Sequence, residues 1–187
     1  MNKFYTQTLI PLPDVDYKSI WPNDPTDSSD MIPRWQTYTS EKPLWNNTID
    51  EMLALCDLKP KLIRIFRWAP KTIFPWHVDG TTEIITEFAI NWVYEGSGII
   101  QWNSKLELPK PEANHSHLAF GSKQGGLTDV FESKELGHGC IVNTTIPHRV
   151  VNVEPIHRIT VSIQFGNDLT YAQAVEKLTA CGLIKGD

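Results

Sequence analysis

Phe74-Pro75-Trp76-His77-Val78-Asp79-Gly80 is the stretch that decides how this chain reads. In an extended strand successive side chains alternate faces, so His77 and Asp79 project to one side, about 7 Å apart along the chain. A neutral imidazole beside a carboxylate is two-thirds of a 2-His-1-carboxylate metal site. The third ligand of a facial set has to come from another strand, and Ile146-Pro147-His148-Arg149-Val150-Val151 offers His148 at the start of one. Alone, H-x-D is a common triplet. Its weight here comes from position: it follows a strand and meets Gly80, where a barrel mouth would hold a site.

The surroundings read as β structure. Lys61 to Trp68 is β-branched and aromatic, bounded by Pro60 and Pro70, as a strand should be. From Glu83 to Tyr94, Phe88, Ile90, Trp92 and Tyr94 share one face while Glu87, Ala89 and Asn91 share the other. Glu95-Gly96-Ser97-Gly98 then predicts a turn, with Ile99 to Trp102 pairing back as a hairpin. Residues 103–128 are polar and turn-rich. Arg149-Val150-Val151 and Arg158 to Phe165 form two further runs joined through Asn152-Val153-Glu154-Pro155, read as another hairpin. In the second run Ile159, Val161, Ile163 and Phe165 line one face; Arg158, Thr160, Ser162 and Gln164 line the other.

Helices are confined to the flanks. Thr48-Ile49-Asp50-Glu51 fits a capping box opening a short helix to about Leu58. Thr170 caps a second, whose stripe of Tyr171, Ala174, Val175, Leu178 and Cys181 stops at Gly182. Residues 1–47 carry proline, aspartate and tryptophan without clear periodicity. They read as an arm anchored by Trp21, Trp35 and Trp45, or as a flap over a site. Short strands with helices at the ends fit a mainly β fold, a two-sheet jelly roll, better than a βαβ fold. The expectation is one domain over residues 1–187: arm and helix in 1–59, jelly-roll core in 60–166, C-terminal helix in 167–187.

Composition narrows the classes. Of 187 residues, 21% are charged and 41% apolar, and the net charge of −5 comes without any block of lysine and arginine. A phosphate-binding nucleic-acid surface is not expected. Cys56, Cys140 and Cys181 are widely spaced, which suggests reduced thiols in the cytoplasm and not a disulfide framework or zinc cage. Neither a leader-like h-region nor a membrane-length apolar run is present.

Arg158 adds to the metal set. A guanidinium facing a pocket needs an anion, and its planar fork suits a carboxylate. Pairing with Glu154 or Glu132 at the surface is the alternative; the hydroxyls of Thr160 and Ser162 on the same face favour the pocket. H-x-D, a distal histidine and an arginine beyond it resemble the iron(II)- and 2-oxoglutarate-dependent oxygenases of the double-stranded β-helix fold, over about residues 60–166. The broad look is aspartyl/asparaginyl or prolyl hydroxylase-like, although collagen-type prolyl hydroxylases commonly use lysine at the Arg158 position. The resemblance implies His77, Asp79 and His148 as iron ligands. It also implies Arg158 on the distal carboxylate of 2-oxoglutarate, with Thr160 where the family often has serine and Ser162 as a further candidate. The implied activity is hydroxylation of a small molecule or peptide using O₂, with release of succinate and CO₂, by a monomer or small homo-oligomer. Two other readings share the pattern: a cupin-like metalloprotein that does not use 2-oxoglutarate, and a non-catalytic jelly-roll binding protein.

Other residues weigh less. His115-x-His117 sits in a polar loop without a neighbouring carboxylate, His138 lies between glycines, and His157 points opposite to Arg158. Trp68, Trp76, Trp92, Trp102 and Tyr94 are read mainly as core. Asn91 and Gln101 are candidates for inward polar groups. Arg64 and Arg67 fall on opposite faces of one strand, so at most one reaches the pocket.

Overall fold

The computed structural model describes residues 4–16, 20, 35–40, 47–79, 87–106, 130–133, 139–165 and 168–184. In chain order the elements are β1 (Tyr5–Gln7), β2 (Trp35–Ser40), α1 (Asn47–Leu55), β3 (Pro60–Trp68), β4 (Thr72–Ile73) and β5 (Phe88–Glu95). They continue with β6 (Ile99–Asn103), β7 (Val130–Ser133), β8 (Cys140–Asn143), β9 (His148–Asn152), β10 (Arg158–Phe165) and α2 (Tyr171–Ala180).

The strand pairs are nested. β6 pairs with β7, β5 with β8, β4 with β9 and β3 with β10, all antiparallel. This is one long hairpin, closed at β6–β7, and rolling it up adds the β5–β10 and β6–β9 pairs. The outcome is a large sheet ordered β1-β8-β5-β10-β3-β2 facing a small one ordered β4-β9-β6-β7. That arrangement is a double-stranded β-helix, a jelly roll, as the pattern of short alternating runs implied.

Rolling also explains two corrections. Ile99–Trp102 does not pair back on β5, because both edges of β5 are taken by β8 and β10. The chain instead turns through Gly96, at φ 72°, and crosses to the other sheet. Likewise β9 and β10 are not a hairpin: β9 lies in the small sheet and β10 in the large one. The N-terminal region also supplies two strands the sequence did not announce. β1 is three residues long, and β2 is mostly polar, so neither shows apolar alternation.

All eight residues of β10 are buried, because the large sheet is covered on both faces. Ile159, Val161, Ile163 and Phe165 pack outward with Ile63, Ile65, Phe88, Ile90 and Trp92 under α1 and α2. Arg158, Thr160 and Ser162 point the other way, into the space between the sheets.

Each helix seats its apolar stripe on that outer core and ends in the same way. α2 starts at Thr170, whose hydroxyl accepts from the Gln173 N–H in a capping box. It ends with Gly182 at φ 70° and the Leu183 N–H donating to the Leu178 carbonyl at 2.8 Å. Leu178 is fully buried, but Cys181 of the predicted stripe is exposed. α1 begins at Asn47, so Thr48 lies inside it and not at its cap. It stops at Leu55, where Asp57 adopts φ 52° and Leu58 N–H returns to the Leu53 carbonyl at 2.9 Å, a Schellman closure with aspartate in place of glycine.

Among the described residues, no helix is long and apolar enough to cross a membrane. Gly80, Trp21, Trp45, His115, His117, His138 and most of the 103–128 loop lie outside the described residues, as do the side chains of Trp35 and Glu132. Leu178→Ala should remove about 3 kcal/mol of stability, read as a lower urea midpoint with an unchanged m-value.

Candidate metal centre

The register around Pro75 brings the first histidine inward. Ile73 is opposite Val151, whereas His77 is opposite His148. The β4 side therefore uses one more residue than β9 between these two pairs, a local bulge that holds Pro75. The extra residue reverses the facing: Ile73 is 59% exposed and His77 only 6%. Phe74 remains inward and meets the His77 ring edge-on, with centroids 4.8 Å apart. Trp76 is buried at 6% exposure, with the Arg149 guanidinium 4.5 Å above its ring.

His77 and His148 exchange both main-chain hydrogen bonds, each 2.8 Å, and their rings come within 4.3 Å centroid to centroid. Each Nδ1 lies 3.0 Å from a carbonyl oxygen two residues back, Pro75 for His77 and Ile146 for His148. A carbonyl can only accept, so Nδ1 carries the proton and Nε2 keeps its lone pair. Asp79 Oδ1 is 3.5 Å from His77 Nε2 and 3.8 Å from His148 Nε2. The three ligand atoms lie within 4.8 Å of one another, so one ion could reach all of them at about 2.0–2.5 Å. Two imidazoles and a carboxylate suit a divalent first-row metal and leave further positions open.

The loop between β8 and β9 fixes the set. The Asp79 N–H donates to the Thr144 carbonyl at 3.1 Å, and the Asn103 N–H to the Pro147 carbonyl at 2.9 Å. Asn143 Oδ1 accepts from both the N–H and hydroxyl of Thr145, at 3.1 and 2.7 Å. Trp102 Nε1 donates to the Asn143 carbonyl at 3.0 Å.

His77, Asp79 and His148 open onto a cavity between the sheets, which Arg158, Thr160, Ser162 and Asn91 also line. Arg158 is 1% exposed, and its Nε and Nη2 have no hydrogen-bond partner among the described residues. Burial pulls its pKa down to about 10, which still leaves it charged at neutral pH. Glu154 is engaged elsewhere, accepting from the Ser97 hydroxyl at 2.7 Å, and the Glu132 side chain lies outside the described residues. Thr160 Oγ1 and Asn91 Oδ1 are likewise buried without partners among the described residues. Arg158 faces His148 across the sheets and not across a hairpin.

Two residues that the sequence marked only as turn formers hold Arg158 in place. A Cβ on Gly98 would stand 2.4 Å from both Arg158 Cδ and Nε, so only glycine leaves room for that side chain. Asn152, 1% exposed, donates to the Ala69 and Ile156 carbonyls at 2.9 and 3.0 Å and accepts from the Glu154 N–H at 3.2 Å. It ties the corner into β10 to the end of β3. The tryptophans divide: Trp68 lines the cavity, while Trp92 belongs to the outer core and Trp102 to the core between the sheets. Gln101 faces outward, accepting from Arg149 Nε at 2.7 Å. Of the two β3 arginines, Arg64 shares the alternating face of Phe66 and Trp68. Burial lowers its pKa against the opposing pull of the Asp79 carboxylate.

No protein-family model matches the chain, and no curated protein matches it. Among solved structures, E. coli ycfD aligns at a TM-score of 0.43 and 16% identity, over 79% of this chain and 38% of that one. Oxalate decarboxylase of Bacillus subtilis, with its Mn(II) centres, aligns at 0.42 and 10% identity, over 80% of this chain and 29% of that one. The capsular polysaccharide assembling protein CapF of Staphylococcus aureus aligns at 0.38 and 11% identity, over 57% and 24%. The chain thus spans well under half the length of these three proteins. At such scores the jelly-roll assignment rests on the strand order itself.

A divalent ion held only by the folded protein should stabilise it, by about 2–3 kcal/mol at a hundredfold excess over Kd. Calorimetric titration should find one iron(II) or manganese(II) per chain, and His148→Ala should lose both the binding and the rise in melting temperature.

Proposed function

We propose that the chain is an iron(II)- and 2-oxoglutarate-dependent oxygenase that hydroxylates a small molecule or a peptide side chain. The observation that carries this reading is a buried, charged Arg158 whose Nε and Nη2 have no hydrogen-bond partner among the described residues, in the same cavity as His77, Asp79 and His148. A buried cation is costly unless an anion joins it. A carboxylate fits the fork of Nε and Nη2.

The register supports a ligand that spans the two ends. His148 is level with Trp102, and Val150 with Ile100; Gly98, against Arg158, immediately precedes that strand, two residues before Ile100. From the His148 level to Gly98 is about 13 Å of strand, roughly the span of a five-carbon dicarboxylate with a contact at either end. Iron(II) would supply O₂ activation coupled to oxidative decarboxylation of 2-oxoglutarate to succinate and CO₂. The chain's own part is to bind and orient. Arg158 holds the distal carboxylate, with the Thr160 hydroxyl and then Ser162 on the same face. Phe66, Ile100 and Val150 form an apolar sleeve that keeps water from the reacting end. Asp79 and the two Nε2 atoms present their lone pairs to one side and leave the other open.

Turnover of 2-oxoglutarate to succinate in the presence of iron(II) and O₂ tests the reading. Arg158→Ala should raise the apparent KM for 2-oxoglutarate about 10- to 100-fold, as loss of charge-assisted hydrogen bonds does, while metal binding persists. An activity indifferent to both 2-oxoglutarate and Arg158 would favour the cupin-like metalloprotein. Arg158→Met separates binding from folding. Without ligand it should be more stable than the parent by about 1–2 kcal/mol, and 2-oxoglutarate should raise the melting temperature of the parent alone.

A further inference from the structure

Away from the cavity, α1 and α2 meet at their C-terminal ends. Lys177 Nζ stands 3.0 Å from Asp57 Oδ2, and the Cys181 thiol donates to the Leu55 carbonyl at 3.5 Å. These contacts bring Cys181, the C-cap of α2, against Cys56, the residue that follows α1. Cys181 is near enough to Cys56 to add to the rise in its pKa, after burial. Cys56 is buried and Cys181 exposed, so one sulfur is open to reagents while the other waits beneath it. We infer that Cys56 and Cys181 form a disulfide site, closed by oxidants and reopened by thiols, that staples the helices over the jelly roll.

A small-molecule disulfide such as oxidised glutathione supplies the oxidant. The Cys181 thiolate attacks one sulfur and expels a glutathione thiolate, leaving a mixed disulfide. Cys56 then gives up its proton, attacks the Cys181 sulfur and expels the second glutathione. Two protein thiols are oxidised to one disulfide, and one glutathione disulfide is reduced to two thiols. Burial raises the Cys56 pKa to about 12, against a smaller opposing pull from Lys177, so the second step is slow near neutral pH and accelerates as pH rises.

The effect would be large because of where the bond falls in the chain. The loop it closes contains every strand from β3 to β10, so it restricts the unfolded chain as only a long loop can. It lies by the outer core, on the opposite side of the large sheet from the cavity, so it should stabilise without altering the metal ligands. Cys140, fully buried between the sheets, has no second thiol beside it and serves as the internal control.

The test is equilibration of the folded chain in glutathione buffers of graded redox ratio, followed by non-reducing peptide mapping and thermal melting. The expected result is a cross-linked Cys56–Cys181 peptide lighter by two hydrogens, Cys140 still a thiol, and a melting temperature higher by roughly 10 °C. Dithiothreitol should reverse all of it. Cys181→Ser, an exposed substitution, should fold and melt like the reduced parent but never gain the shift. A glutathione adduct on Cys181 that does not pass to Cys56, or a cross-link formed only after denaturation, would overturn the assignment.

Discussion

Two main-chain hydrogen bonds, exchanged between His77 and His148 at 2.8 Å each, are the constraint on which the candidate site depends. They join residues far apart in sequence and set both imidazoles on one face of the small sheet, with centroids 4.3 Å apart. The bridge forms inward because the chain around Pro75 uses one residue more than the strand opposite it. Without that bulge, His77 would share the outward facing of Ile73. The same few residues fix the tautomers, since the carbonyls of Pro75 and Ile146 take the Nδ1 protons. Backbone geometry therefore decides both where the ligands are and which lone pairs they offer.

At the other end of the cavity, the fold carries a cation that contributes nothing evident to its own stability. Arg158 is buried and charged, and its Nε and Nη2 are unpaired among the described residues. The glycine at position 98 gives up side-chain packing to admit it. Asn152 spends its amide on three main-chain bonds that shape the corner leading into β10. Such an arrangement is understandable as a site that waits for an anion: the desolvation cost is met when the folded protein is built and offset when the ligand arrives. Local violations of the usual burial rules tend to mark function in this way.

Much of this was legible in the residues. Alternation in Arg158–Phe165 separated core from cavity correctly, because a strand covered on both faces still alternates between apolar and polar neighbours. The H-x-D pair and distal His148 do converge, since nesting of β4 with β9 follows from the long rolled hairpin. The connections were harder to read. Turn residues at Glu95–Gly98 and Asn152–Pro155 look the same whether the next strand pairs back or crosses to a second sheet; only the occupied edges of β5 and β10 decide it. Gln101 was misjudged for a related reason: its facing depends on the sheet to which β6 belongs. β1 and β2 carried too little apolar pattern to announce themselves. Gly98 and Asn152 read as turn formers because their roles are in three-dimensional contacts with Arg158 and its corner.

The measurement that bears most directly on the central claim is an anaerobic titration of metal-free protein, first with iron(II) and then with 2-oxoglutarate, followed by visible absorption. A charge-transfer band that grows only when both are present, and is absent in His148→Ala, is the predicted result. It would report chelation of the keto acid by iron held in the His77–Asp79–His148 set. Iron binding with no band at saturating 2-oxoglutarate would contradict the account, leaving a metal site in a jelly roll whose buried arginine serves a different anion.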